Sequence, residues 1–234
     1  MTDIAPGTAP VPTSPASGAS ARRFTAWPLL ISASGALGLL SILMENRPDN
    51  SEDFDYPFTS AALAEVDVTP YRISCLLGYA LAVLLLVTAA VWKHRVERRF
   101  TGSIGATVVS LGVVATAGLV ALSFGWRGAV GDYFPGGPED GTYDTEGLYN
   151  YFILTDFSPY IAFVPLLASA FGLAWMAFAE RLVSRGLGAA AGLVATALLV
   201  AVAVTGVPGL PFAIVLGLVV AGIWLAVGRS PITA

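Results

Sequence analysis

Six apolar stretches, at residues 27–44, 74–92, 104–124, 160–179, 187–207 and 210–227, leave this chain of 234 residues few architectures to choose from. A helix needs about 20 apolar residues to cross a bilayer, and each stretch meets or nearly meets that length. A soluble domain has roughly a quarter of its residues charged; here the share is 12%, with 56% hydrophobic, so no separate soluble domain is left over. The fold class read from this is an all-α integral membrane protein, a six-helix transmembrane bundle over residues 27–228. A tail of residues 1–26 precedes it, and residues 229–234 form a short C-terminal tail.

The first twenty residues are almost wholly Ala, Pro, Ser, Thr and Gly. Such a segment buries too little apolar surface to offset the entropy of ordering, and is expected to be disordered. It ends at Arg22-Arg23, just before Trp27, a basic pair and an interfacial aromatic that mark a membrane entry. A secretory signal peptide shares those regions, with Ser32 to Ala36 imitating a cleavage site. The apolar stretch runs on unbroken to Met44, which favours a retained helix.

Lys and Arg set orientation. In a six-span layout Arg22, Arg23, Lys93, Arg95, Arg98, Arg99, Arg181, Arg185 and Arg229 share one side, nine of the twelve basic residues. Arg47, Arg72 and Arg127 lie on the other, with thirteen of the sixteen acidic residues. The expected topology is therefore N-in and C-in, a multi-pass plasma-membrane protein with both termini cytoplasmic and two longer acidic outer loops. The last two helices, separated only by Gly206-Val207-Pro208-Gly209-Leu210-Pro211, are expected to form an antiparallel hairpin.

An ionisable residue deep in a membrane helix points to a relay, ion path or catalytic centre, and on these boundaries no helix contains one. His94, the only histidine, falls in the cytoplasmic basic loop, and the single Cys75 permits neither an intrachain disulfide nor a cysteine-based metal site. This argues against an ion-coupled transporter, a haem protein with paired axial histidines and an intramembrane protease. No enzyme, cofactor, metal or nucleic-acid partner is expected. Ser34 and Gly38, Gly105 and Gly112, and Gly188 and Gly192 sit at spacings that let helix backbones approach closely. Packing within one chain is the simpler use; self-association through the fifth helix is the other. Pro165 is expected to kink the fourth helix.

The outer segments carry the functional expectation. Residues 125–158 contain Trp126, Asp132, Tyr133, Phe134, Tyr143 and Asp144, too aromatic for a mere connector and too acidic to lie on anionic lipid. These six residues are the candidate partner or ligand contacts, since Tyr and Phe are enriched at interfaces. Tyr149 to Phe157, directly before the fourth helix, suit an interfacial belt instead. Asp140, Asp144 and Glu146, interleaved with glycines, have some oxygen-ligand spacing for calcium but lack the twelve-residue pattern and its terminal Glu.

In the first outer segment, Pro57-Phe58-Thr59-Ser60, then Pro70-Tyr71-Arg72 and Cys75-Leu76-Leu77-Gly78 resemble the Pro-Tyr-Ile-Ser, Pro-x-Arg and Cys-Leu-x-Gly motifs of the DRAM/Sfk-like six-helix membrane proteins, and a related uncharacterised bacterial six-helix family. The chain has Ala61-Ala62 where that family carries an acidic residue after the serine. The resemblance implies a non-enzymatic protein that affects membrane lipid organisation or trafficking, with Pro57, Ser60, Pro70 and Arg72 shaping the outer face. The function expected is thus a non-catalytic membrane protein that binds a partner, a second copy of itself or membrane lipid through its outer loops. The alternative is a transporter or facilitator subunit for a neutral or apolar solute, its path lined by Ser32, Ser34, Ser110, Thr116, Ser123 and Ser169.

Overall fold

The structure is a computed structural model that describes residues 25–44, 60–207 and 209–233, so residues 1–24 of the N-terminal tail and Pro57 lie outside the described residues. Among those residues the chain is helical, with seven α-helices and no strand: α1 (Leu29–Leu43), α2 (Val68–Trp92), α3 (Ile104–Tyr133), α4 (Thr145–Ala162), α5 (Pro165–Phe178), α6 (Arg185–Thr205) and α7 (Pro211–Val227). A 3-10 turn (Ser60–Glu65) precedes α2 and a π turn (Lys93–Glu97) follows it. Four helical lengths are long and apolar enough to cross a membrane: α2 with its π turn, α3, α4 with α5, and α6. α1 and α7 are shorter apolar helices.

Local chemistry sets the helix starts. Asp67, Ser103, Asp144 and Ser184 each accept a hydrogen bond from a backbone N–H in the first turn of α2, α3, α4 and α6, meeting donors that have no intrahelical partner. Proline opens α5 and α7, where its missing N–H costs nothing. α6 stops at Gly206, whose φ of 71° is the left-handed conformation glycine tolerates.

Three boundaries depart from expectation. α3 runs through residue 124 to Tyr133, and the outer segment then re-forms helix at Thr145, leaving only residues 134–144 as a connection. α2 begins at Val68 rather than at residue 74. At Pro165 the chain does not kink within a helix but breaks: α4 ends at Ala162 and Pro165 is the first residue of α5.

α3 is the central helix, packed on α2, α4 and α5, while α1 lies between α2 and α7, and α6 rests on α5. α6 and α7 barely touch, so the expected hairpin is joined in sequence but is not a packing unit. The cause is where their small residues point. Gly188 and Gly192 abut Ala177 and Ala174 of α5, and Gly35 and Gly222 seat α1 on α7 so closely that a β-carbon on Gly35 would lie 2.6 Å from the Val215 carbonyl. The Gly188/Gly192 pair therefore packs α6 on α5 within the chain. Gly105 and Gly112 likewise bring α3 onto α5, against Met176 and Ser169.

Both described chain ends meet: the Thr25 hydroxyl donates to the Thr233 carbonyl at 3.0 Å and its N–H to that of Ala226 at 3.3 Å. This terminal end holds Trp92, Val96, Met176, Leu187 and Leu225 in one apolar cluster, with Trp27 edge-on to Trp92 at 5.9 Å. Glu180, just after α5, accepts from the Ser103 hydroxyl and the Gly105 N–H. A carboxylate thus sits on the amino end of α3, where the helix dipole favours it. Lys93, Arg95, Arg98, Arg99, Arg181, Arg185 and Arg229 are all exposed at this end.

Candidate functional site

The far end is built around a second small core of Leu63, Val66, Val68, Tyr71, Val130, Phe134, Leu148 and Phe152, drawn from the 3-10 turn, the start of α2, the last turns of α3 and the first half of α4. Phe124, Arg127, Val130, Gly131 and Phe134 are buried at three- and four-residue spacings, the period of one helix face. That face explains why α3 persists beyond its apolar stretch.

On this core lies a cluster of four rings. Tyr133 meets Tyr143 edge-on at 4.8 Å and stacks on Tyr151 at 5.8 Å, Tyr143 meets Tyr151 at 5.4 Å, and Trp126 leans on Tyr151 at 5.8 Å. Of the candidate contacts, Trp126, Tyr133 and Tyr143 therefore come together, with Tyr151 as the hub. Tyr151 is one of the residues assigned on sequence to a membrane belt. Phe134 does not join them: it is fully buried, facing Phe152 at 6.4 Å, and forms core rather than a contact surface.

The connection between α3 and α4 is held by its own backbone. Gly136 and Gly141 take positive φ, the Gly137 N–H donates to the Phe134 carbonyl at 2.8 Å, and the Glu139 N–H to that of Asp132 at 3.0 Å. Asp140 accepts from the Gly136 N–H and Asp144 caps α4 through the Gly147 N–H. Among the described residues no three His, Cys, Asp or Glu side chains come together as a metal site.

Arg127 overturns the reading that the helices contain no ionisable residue. It lies inside α3 and is fully buried, and its Nη1 donates to the Ser41 carbonyl at 3.0 Å, to the Met44 carbonyl at 3.5 Å and to the Ser74 hydroxyl at 2.7 Å. Ser74 in turn donates to the Ser41 carbonyl at 2.7 Å, and the guanidinium lies over the Phe124 ring, 5.1 Å from its centroid. The cation thus closes the carboxyl end of α1, whose last carbonyls have no intrahelical donor. Arg72 also turns onto backbone, its Nε donating to the Gly131 carbonyl at 2.9 Å. Pro70 sits in the first turn of α2 and Ser60 begins the 3-10 turn. With both cations drawn to carbonyls, Glu65, Asp67, Asp132, Glu139, Asp140, Asp144 and Glu146 remain exposed, so the described far surface is acidic and aromatic.

No family model, curated protein or solved structure matches this chain. Its chemistry is accordingly that of its own side chains. The hydroxyls expected to line a solute path are mostly engaged. Ser32 donates to the Val219 carbonyl, Ser34 to that of Leu30, Thr116 to that of Gly112 and Ser169 to that of Val109, while Ser123 bonds Ser158. They tie helices together or bond back along their own helix, as such residues commonly do. A cavity of about 50 Å³ lies in the terminal half, lined by Ser34, Leu85, Thr88, Trp92, Ser110 and Ser169 among others. That is room for a few waters.

Proposed function

We propose that the chain is an integral membrane protein of the plasma membrane, crossing it six times with both termini cytoplasmic, and that it works without catalysis by presenting its far end to a partner protein or to lipid. The observation that carries this is the Trp126–Tyr133–Tyr143–Tyr151 cluster, set among exposed carboxylates on a folded core. Aromatic rings held rigid by one another lose little freedom on contact and are favoured at interfaces. The resemblance of the first outer segment to the DRAM/Sfk-like proteins belongs to the same proposal. The apolar surface supports the membrane part, because Leu76, Leu111, Leu193 and Val204 are more than 60% exposed along the helices, and exposure on that scale fits lipid better than water.

The test is purification of the full chain in nanodiscs or mild detergent, with mass spectrometry of whatever accompanies it, repeated on Tyr133→Ala/Tyr143→Ala. A protein or lipid class retained by the native chain and lost from the double variant is expected. Nothing retained by either form would end the reading. Solute uptake would then be the function to pursue, despite the engaged hydroxyls.

A further inference from the structure

The seam between α3 and α4 is not filled by their own side chains. Leu119, Leu122 and Trp126 of α3 and Leu154, Phe157 and Ile161 of α4 line a groove of about 160 Å³ along it. With Ser123 and Ser158, which lie at its floor, the lining positions on each helix recur at three- and four-residue spacings, the period of one helix face. The two serines are spent on each other: Ser123 donates to the Ser158 hydroxyl at 3.0 Å, and Ser158 to the Ser123 carbonyl at 3.2 Å. What the groove offers a ligand is therefore apolar. Leu122, Leu154, Phe157 and Ile161 are all exposed, so it opens to the outside of the bundle.

Trp126 belongs to this groove and to the four-ring cluster at once, since its ring lines the one and leans on Tyr151 of the other at 5.8 Å. Its carbonyl accepts from the Thr155 hydroxyl at 3.0 Å, which fastens α4 to α3 at the junction. The groove thus runs into the cluster. About 20 residues carry a helix across the hydrocarbon layer, so α3, counted from Ile104, reaches headgroup level at Trp126 in the membrane proposed above. Beyond it the cluster offers aromatic rings, whose faces carry partial negative charge and attract cations, and Tyr143 is 41% exposed. Asp132, next to Tyr133, and Asp144, next to Tyr143, are exposed carboxylates, while Arg72 and Arg127 are turned onto backbone carbonyls. At this rim an anion meets repulsion, and a cation meets attraction from rings and carboxylates together.

We propose that the seam binds one zwitterionic glycerophospholipid of the phosphatidylcholine type, with an acyl chain in the groove, the phosphate at Trp126 and the terminal trimethylammonium against Tyr133, Tyr143 and Tyr151. The inference rests on the reading above and names the ligand of that same cluster. A trimethylammonium has no N–H that needs an acceptor, so ring faces suit it, and tryptophan belongs at the level where headgroups begin. A basic peptide is the poorer occupant, because it would meet the rings and leave the groove at hydrocarbon depth uncovered. A second copy of the chain, docked symmetrically along the seam, would bring one acidic rim against another.

The experiment is native mass spectrometry of the full chain, released from detergent after titration with phosphatidylcholine or with phosphatidylglycerol of identical acyl chains, with and without free phosphocholine. One phosphatidylcholine retained per chain, at least about fivefold over phosphatidylglycerol and unaffected by equimolar phosphocholine, is the expected result. Asp132→Asn/Asp144→Asn, which keeps side-chain size and a good cap for α4, should abolish the preference, as should Tyr133→Ala/Tyr143→Ala. Leu122→Trp, which fills the groove and leaves the rings, should lower retention severalfold, and Trp175→Ala, which removes an exposed ring from α5, should change nothing. Equal retention of the two lipids, displacement by phosphocholine, dimers in place of lipid, full retention by Leu122→Trp, or an equal loss in Trp175→Ala would each overturn the proposal. A protein that accompanies the native chain and is lost from Tyr133→Ala/Tyr143→Ala, with no preference between the lipids, would overturn this inference and leave the interface reading standing; retention of neither protein nor lipid would remove both.

Discussion

The guanidinium of Arg127 and the carbonyl of Ser41, 86 residues apart in the chain, are joined by a 3.0 Å hydrogen bond in the buried middle of three helices. Hydrogen bonds to a charged group contribute about 1.5–3 kcal/mol each. Arg127→Met, which keeps an apolar stem but not the donors, should therefore lower stability by about 3 kcal/mol or more, read as an earlier unfolding midpoint in mixed micelles. Arg127→Lys should recover part of it, since a point charge replaces the planar fork. An unchanged midpoint in both would show that this link holds nothing.

Gly78 and Gly118 make a matched pair. A β-carbon on Gly78 runs into the buried ring of Phe124, whereas one on Gly118 meets nothing within 4 Å. Gly78→Ala should destabilise by about 1–3 kcal/mol through overpacking. Gly118→Ala should be neutral or stabilise by up to about 1 kcal/mol, as alanine is the better helix residue. Equal effects in the same unfolding titration would contradict the α2–α3 packing.

Glu180 is placed to cap α3 from the end of another helix. Glu180→Ala should cost about 1–2 kcal/mol, comparable to loss of a strong cap, and Glu180→Gln less, because an acceptor remains. Amide exchange at Gly105 and Ala106 is the local readout; protection unchanged in Glu180→Ala would remove the capping role.

Tyr151 touches three other rings, and each aromatic pair contributes about 0.5–1.5 kcal/mol beyond its buried area. Tyr151→Ala should speed amide exchange in the first turns of α4 by at least about tenfold, with α5 unaffected, and Tyr151→Phe should not. A response spread evenly over both helices would mean that the far end does not unfold as a local unit.

Orientation is accessible through the lone cysteine. In a Cys75→Ser background, an impermeant maleimide added to intact cells should label Asp140→Cys and leave Arg98→Cys untouched until the membrane is permeabilised. The reverse pattern would invert the proposed topology, and labelling of both in intact cells would remove it.

The six apolar stretches were legible because a helix that crosses a bilayer must be apolar over a known length, and each is helical over most of its length, the fourth being interrupted before Pro165. What residues 125–158 do was harder to read. The apolar stretch ends at residue 124, which places Arg127 in the outer segment on sequence alone, and the carbonyls at the end of α1 that meet its guanidinium come from positions no local pattern connects. A signal was nonetheless there: Phe124, Arg127, Val130, Gly131 and Phe134 continue the helical period across the charge, as Leu148, Phe152, Thr155 and Pro159 do in α4. Asp144-Thr145-Glu146 also has the form of a helix start. The separation of α6 from α7 had no such signal, since a short Pro- and Gly-rich turn fits a packed hairpin and a splayed one equally well.

The bundle is lopsided in height. At about 1.5 Å per residue, the adjoining helices α1 and α7, of 15 and 17 residues, are about 22 and 26 Å long, whereas α3, with 30 residues, reaches about 45 Å. In the membrane proposed for it, the protein would present a low wall on one flank to a hydrocarbon layer about 30 Å thick. Lipid there must thin to meet it, which favours thinner regions of bilayer. The mismatch is a property of shape alone, and it would act on the surrounding lipid even with every polar contact at the far end removed.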